Sequence, residues 1–146
     1  SIGLRFFTVY GPWGRPDMAP MLFTKAAMGN DIIKVFNHGN QKRDFTYIDD
    51  IVKGIFLLAT LDNFPNESLV CNIGNGSPVS LMDFIATLEA SIGKKISKDF
   101  VDAQKGDVEY TFADISKLKS LIGDFNTTDL NEGINRFVSW YTKYYG

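Results

Sequence analysis

Leu4-Arg5-Phe6-Phe7-Thr8-Val9-Tyr10, followed at once by Gly11-Pro12-Trp13-Gly14-Arg15-Pro16-Asp17-Met18-Ala19-Pro20, is the stretch whose reading decides the fold. Its first part is rich in aromatic and β-branched residues and stops at Gly11-Pro12, which predicts a strand. The near-continuous apolar character is that of a strand buried in a parallel sheet. The prolines and glycines of the second part exclude regular structure up to Pro20. An ordered loop at the carboxyl end of a core strand is where α/β proteins seat their ligands.

Working outward, the pattern alternates. A short helix is expected over Pro20–Met28, stopped by Gly29-Asn30, and a short strand over Ile32–Phe36. A turn at Asn37–Asn40 follows, with Gly39 free to take positive φ. Arg43–Tyr47 reads as extended. The spacing of Ile48, Ile51, Val52, Ile55, Leu58 and Ala59 predicts a helix to about Leu61. Leu69–Ile73 reads as a second parallel-type strand. Ser80, with Asp83 three residues on, opens a helix in the manner of a capping box, and Gly93 closes it. A short strand is expected at Asp99–Asp102, a polar loop at Ala103–Asp107, a short helix capped by Asp114 and a last helix over Leu130–Tyr145. Alternating strands and helices define an α/β architecture, with the last parallel strands beside a smaller α/β subdomain. No repeat or linker divides residues 1–146, which read as one unit.

Composition bounds the function. The 146 residues are 45% apolar and 22% charged, with a formal net charge of −2. That balance suits a globular protein and gives no general pull toward nucleic acid, so any anion site must be built locally. One cysteine, Cys71, excludes an internal disulfide, and one histidine, His38, cannot complete a zinc site with it. No apolar run approaches the ~20 residues of a membrane span, and a cytoplasmic setting is the default. A chain that opens on a core strand with no lead-in is expected to be the later part of a longer protein.

Several catalytic patterns are missing. There is no Gly-x-Gly-x-x-Gly: Gly74-Asn75-Gly76 follows a strand, but Pro78 intervenes and the third glycine is absent. No Walker A motif occurs, and no tyrosine has a lysine four residues later. Cys71, mid-strand, reads as core, His38 as solvated, and Asp49 and Asp50 as first-turn residues favoured by the helix dipole. No catalytic residue and no metal ligand set is expected within the chain. Candidates for binding remain. Thr8 offers a hydroxyl near the ligand crevice. Arg15, in a proline-stiffened loop, is pre-formed for a carboxylate or phosphate, or else pairs with Asp17. Arg43 is a phosphate anchor or the partner of a nearby carboxylate. Phe36 is core, or half-exposed for stacking on a base. Lys105 and Asp107 reach a ribose or phosphate, or are solvated.

Together these segments resemble the C-terminal half of an extended short-chain dehydrogenase/reductase of the NAD-dependent sugar epimerase/dehydratase family. The resemblance rests on Arg5–Ala19, Val35-Phe36-Asn37, Arg43-Asp44-Phe45-Thr46-Tyr47-Ile48-Asp49-Asp50-Ile51, Asn72-Ile73-Gly74-Asn75, Gly106-Asp107-Val108, Glu132-Gly133-Ile134 and Phe137–Tyr141. The Trp13–Met18 loop is the most specific and is similar to the UDP-glucuronate 4-epimerase branch. The resemblance implies a Rossmann-like fold whose NAD-binding portion precedes Ser1, a UDP-sugar substrate, and room for a homodimer of the full-length enzyme. It implies that Thr8 reaches the sugar, Arg15 the glucuronate and diphosphate, Phe36 the uracil, Arg43 the diphosphate and Asp107 the ribose. Phe6 would border the nicotinamide. It further implies interconversion of UDP-glucuronate and UDP-galacturonate through a 4-keto sugar, with this chain inactive alone. Another epimerase, dehydratase or decarboxylase of the family, or a non-catalytic nucleotide-sugar-binding module, is the alternative expectation.

Overall fold

A computed structural model describes residues 1–146. In chain order the elements are β1 (Ile2–Phe6), β2 (Thr8–Tyr10), α1 (Ala19–Gly29), β3 (Ile32–Val35), a 3₁₀ turn (Phe36–Gly39), β4 (Lys42–Arg43), β5 (Phe45–Tyr47), α2 (Ile48–Ala59), β6 (Leu69–Ile73), β7 (Val79–Ser80), α3 (Leu81–Ile92), β8 (Ser97–Phe100), α4 (Ser116–Ile122) and α5 (Leu130–Tyr145). The architecture is α/β with mainly parallel pairing, as the sequence predicts.

The opening stretch is not the single strand expected over Leu4–Tyr10. It breaks at Phe7 and changes partner. β1 pairs in parallel with β6, from Ile2 opposite Leu69 to Phe6 opposite Ile73. β2 pairs in parallel with β5, from Thr8 opposite Phe45 to Tyr10 opposite Tyr47. Between them, the Thr8 N–H donates to the Asp44 carbonyl at 3.1 Å. One apolar run therefore serves two sheets, which residue-type patterning cannot reveal, because both halves look equally strand-like. β3 pairs in parallel with β8, and β4 with β7 in antiparallel register. The strand expected at Asp99–Asp102 lies earlier, at Ser97–Phe100.

Helix ends follow side-chain chemistry. Ser80 Oγ accepts the Asp83 N–H at 3.0 Å, and Gly93 takes φ 75° to close α3. Asp129 accepts the Asn131 N–H at 2.9 Å ahead of α5. Asn30, at φ 57°, ends α1, one residue beyond the glycine. Asp114 accepts the Ser116 N–H at 2.9 Å and so serves the start of α4, although Ile115 occupies the N-cap position.

Two apolar cores result. The larger joins α1, β2, β3, β5, α3 and α5 around Tyr10, Phe23, Val35, Phe45, Phe84 and Phe137, with Phe45 and Phe84 stacked at 4.1 Å. The smaller gathers Ile51, Leu58, Cys71, Ile73, Leu118 and Phe125 under β6. Each such side chain contributes about 1.5–3 kcal/mol on burial. The α2 stripe is only half used: Ile51 and Leu58 are buried, whereas Val52, Ile55 and Phe56 face solvent. Beside them Ile2, Leu4, Ile55, Ala59 and Phe64 form a shallow apolar depression. The other edge of β1 pairs with no strand. Parallel sheets are ordinarily covered on both faces, so this side of the molecule is an unusually bare one.

Glu89 ties the end of α3 to β8. Its buried carboxylate accepts from Lys95 Nζ at 2.8 Å, the Ile96 N–H at 2.9 Å and Lys98 Nζ. Burial alone would raise its pKa; the hydrogen bonds from Lys95, Lys98 and Ile96 outweigh it and bring the value down to about 2, from an ordinary 4.5. A depressed carboxylate stabilises the fold above its unfolded pKa and loses that contribution as pH falls through the folded one. Stability should therefore decline between about pH 4.5 and pH 2 through this group. In urea titrations across that range, Glu89→Gln is expected to flatten the acid limb. An identical pH slope in the variant would remove Glu89 from this role.

Candidate functional site

Four segments that are distant in sequence meet around a cavity of about 440 Å³ whose lining includes Thr8, Asp17, Phe36, Gln41, Arg43, Gln104 and Asp107. Thr8 starts β2, just past the carboxyl end of β1. Phe36 follows β3, at a turn that holds Asn37 and His38 at φ 48° and Gly39 at φ 80°. Successive left-handed residues turn the chain sharply after the strand. A Cβ at Gly39 would also displace the flexible Met82 side chain, but it is the positive φ that makes glycine the fitting residue here. Arg43 closes β4, and Asp107 comes from the loop beyond β8.

Arg43 is the electrostatic centre. Its Nη2 donates to Asp107 Oδ1 at 2.8 Å and its Nη1 to the Lys42 carbonyl at 3.2 Å. The Arg43 side chain is 15% exposed and that of Asp107 30%. Gln41 Nε2 donates to the other Asp107 oxygen. Asp107 thus has both oxygens engaged and aims the guanidinium, whose remaining N–H donors meet no protein acceptor. A partly desolvated guanidinium with free donors is suited to a phosphate or carboxylate. Arg43 is salt-bridged to a nearby carboxylate, as one of the two sequence alternatives has it, and it also lines a cavity.

Arg15 lies elsewhere. It lines an adjoining cavity of about 350 Å³ with Phe6, Phe7, Gly11, Trp13 and Met18. Its Nε and Nη2 donate to Asp17 Oδ1 and Oδ2 at 3.2 and 2.6 Å, in a solvent-exposed fork. That hydrogen bonding raises the Arg15 pKa and lowers that of Asp17. Met18 lines both cavities, and Asp17 faces the larger one. Of the residues singled out from sequence, Thr8, Phe36, Arg43 and Asp107 come together. Arg15 and Phe6 share the neighbouring hollow.

The remaining candidates are structural. Cys71 is 1% exposed, and burial pushes its thiol pKa up. Asp50 accepts the Thr128 N–H at 2.8 Å and its hydroxyl at 2.9 Å, fixing α2 to the segment before α5. His38 Nε2 sits 3.2 Å from Asp102 Oδ1 on the surface. Sequence reasoning missed Asp44. Its fully buried carboxylate accepts the N–H groups of Asn75, Gly76 and Ala113 and the Thr46 hydroxyl. A carboxylate between Arg43 and Phe45 gives no signal of donors so far away in sequence. Gln41 was missed for the same reason.

The chain belongs to the NAD dependent epimerase/dehydratase family, whose sequence model matches residues 1–74. Its α/β architecture with mainly parallel strands is the Rossmann-like fold of that family. It is 46% identical over 160 residues to Protein CapI of Staphylococcus aureus, covering 99% of this chain and 48% of that protein. It is 46% identical over 159 residues to UDP-glucuronate 4-epimerase 4 of Arabidopsis thaliana, covering 98% of this chain and 36% of that one. Among solved structures, the UDP-glucuronic acid 4-epimerase from Bacillus cereus in complex with UDP-glucuronic acid and NAD superposes with a TM-score of 0.90 at 36% identity, over 97% of this chain and 45% of that one. MoeE5 in complex with UDP-glucuronic acid and NAD gives 0.91 at 34% identity, over 98% and 47%. The chain therefore spans about half the length of these solved relatives and of CapI. No helix is long and apolar enough to cross a membrane.

Proposed function

We propose that residues 1–146 form the substrate-binding portion of a UDP-glucuronate 4-epimerase-like enzyme, whose NAD-binding portion is seated on the bare side of β1 and α2. The observation that carries the reading is the single cavity shared by Thr8, Phe36, Arg43 and Asp107. The named relatives and their ligands support the choice of UDP-glucuronate.

Each residue then has a task. Phe36 packs its ring against the uracil. Arg43, aimed by Asp107, holds the diphosphate. Asp107 also faces the ribose. Thr8 hydrogen-bonds the sugar end, and Arg15 meets the uronate carboxylate across the Asp17–Met18 partition. Anchoring the nucleotide while leaving the sugar free lets remote binding energy hold a ring that must present both faces. The chain's own residues fit only the rim of a dinucleotide site: Phe6 is half-exposed beside the second cavity, and no glycine-rich cradle for a pyrophosphate is present. Bound NAD supplies reversible hydride acceptance at sugar C4. Thr8 and Arg15 orient the sugar and hold its carboxylate in place while C4 is a ketone.

Titration calorimetry with UDP tests the assignment. Arg43→Ala is expected to weaken UDP binding about 10- to 100-fold, the equivalent of one charge-assisted contact. Phe36→Ala should weaken it by about tenfold or more through lost base stacking. Unchanged affinity in Arg43→Ala rejects the anchor.

A further inference from the structure

Trp13 is the strained residue of the site loop. Its φ is 61°, in the left-handed region that bulky side chains avoid. The loop has glycines at positions 11 and 14, yet the left-handed residue between them is a tryptophan. Such an outlier persists only where neighbouring contacts over-determine it. Here the contacts are aromatic and come from the far end of the chain. The Trp13 ring is 71% exposed but lies 5.4 Å from Trp140 and 4.8 Å, edge-on, from Tyr144. Trp140 in turn stacks on Tyr144 at 5.6 Å and on Phe137 at 6.1 Å. Aromatic pairs of this geometry stabilise beyond their burial and so offset the backbone cost.

This is the loop's side-chain tie to α5, and its hydrogen bonds do not replace it. Gly14 N–H bonds to the Gly11 carbonyl, Met18 N–H to the Arg15 carbonyl, and Arg15 to Asp17, all within the loop. Yet this loop forms the partition between the two cavities, through Asp17 and Met18.

We infer that Trp13 is a positioning residue: seated on Trp140 and Tyr144, its indole holds the Gly11–Met18 loop so that Arg15 is presented to the sugar end of the bound nucleotide sugar. Specificity for a uronate then depends on the last turns of α5, which line neither cavity. The inference rests on the substrate reading above and adds to it the element that sets sugar selectivity.

Calorimetry of the chain with UDP, UDP-glucuronate and UDP-glucose separates the two. The unaltered chain should prefer UDP-glucuronate over UDP-glucose by about 10-fold, one charge-assisted contact. Trp13→Gly relieves the backbone but unties the loop. It should bring that ratio close to parity while UDP affinity stays within about twofold, a difference of less than half a kcal/mol. Trp140→Ala should do the same from the α5 side. Trp13→Phe keeps an aromatic ring and should retain the preference, whereas a purely stabilising role would leave the ratio unchanged in Trp13→Gly as well. An intact preference in Trp13→Gly overturns the inference. So does an unaltered chain that binds UDP without any preference, which leaves the cavity assignment standing. A chain that binds no UDP overturns both.

Discussion

Asp44→Ala should lower the stability of the chain by at least about 3 kcal/mol, the scale of several donors left together without their acceptor. The carboxylate accepts from Asn75 N–H at 2.7 Å, Gly76 N–H at 2.9 Å, Ala113 N–H at 3.0 Å and Thr46 Oγ1 at 3.1 Å. Alanine leaves three backbone donors and one hydroxyl without acceptors, those of Ala113 and Thr46 buried and those of Asn75 and Gly76 partly so, and each orphaned buried donor costs about 1–3 kcal/mol. Asn is not a remedy. Its amide nitrogen would face N–H donors where Oδ2 now accepts from both Gly76 and Ala113. The side chain also fixes the site: Asp44 lies between Arg43 and Phe45, and its carbonyl takes the Thr8 N–H. Urea unfolding should show a large midpoint shift for both variants, with UDP binding lost from Asp44→Ala. A shift worth under about 1 kcal/mol would mean that water replaces the carboxylate at little cost.

Adding an NAD-binding half in trans should convert an inactive chain into an active one. Residues 1–146 hold neither a glycine-rich dinucleotide loop nor a Tyr-x-x-x-Lys pair. The chain alone is therefore expected to turn over no UDP-glucuronate, even with NAD present. The bare side offers a seat: the free edge of β1, and Val52, Ile55, Phe56 and Phe64 exposed beside Ile2 and Leu4. Co-expression with the N-terminal half of a relative such as the Bacillus cereus enzyme should give a complex that interconverts UDP-glucuronate and UDP-galacturonate. Phe56→Asp should abolish that complex while leaving UDP binding by the chain intact, because Phe56 lines neither cavity. A complex that forms equally well with Phe56→Asp would remove α2 from the interface. Turnover by residues 1–146 alone would overturn the division of labour itself.

Much of this was legible in the amino-acid sequence, and the exceptions have physical causes. Leu69–Ile73, Ser80 with Asp83, Gly93 and the Leu130–Tyr145 helix are set by local chemistry: apolar runs, a side-chain cap, a left-handed glycine, a helical stripe. The division of Leu4–Tyr10 into two strands depends on which partner lies alongside, which is long-range information. Of the residues around the cavity, Thr8, Arg43 and Asp107 stood out by type, a hydroxyl and two charges in loops at strand ends, whereas Phe36, core by type alone, was singled out by the family resemblance. Asp44 and Gln41 were invisible, since their partners at Asn75, Ala113 and Asp107 lie tens of residues away. The apolar stripe of α2 predicted the helix and not which of its residues are buried: Val52 and Ile55 are exposed, because periodicity reports apolar character and is blind to whether a partner is present.

A crystal structure of the chain with UDP tests the central claim most directly. The diphosphate should sit against the free N–H donors of Arg43, with the uracil on the Phe36 ring and the ribose beside Asp107. UDP bound elsewhere, with the Arg43–Asp107 pair turned away from it, would contradict the account.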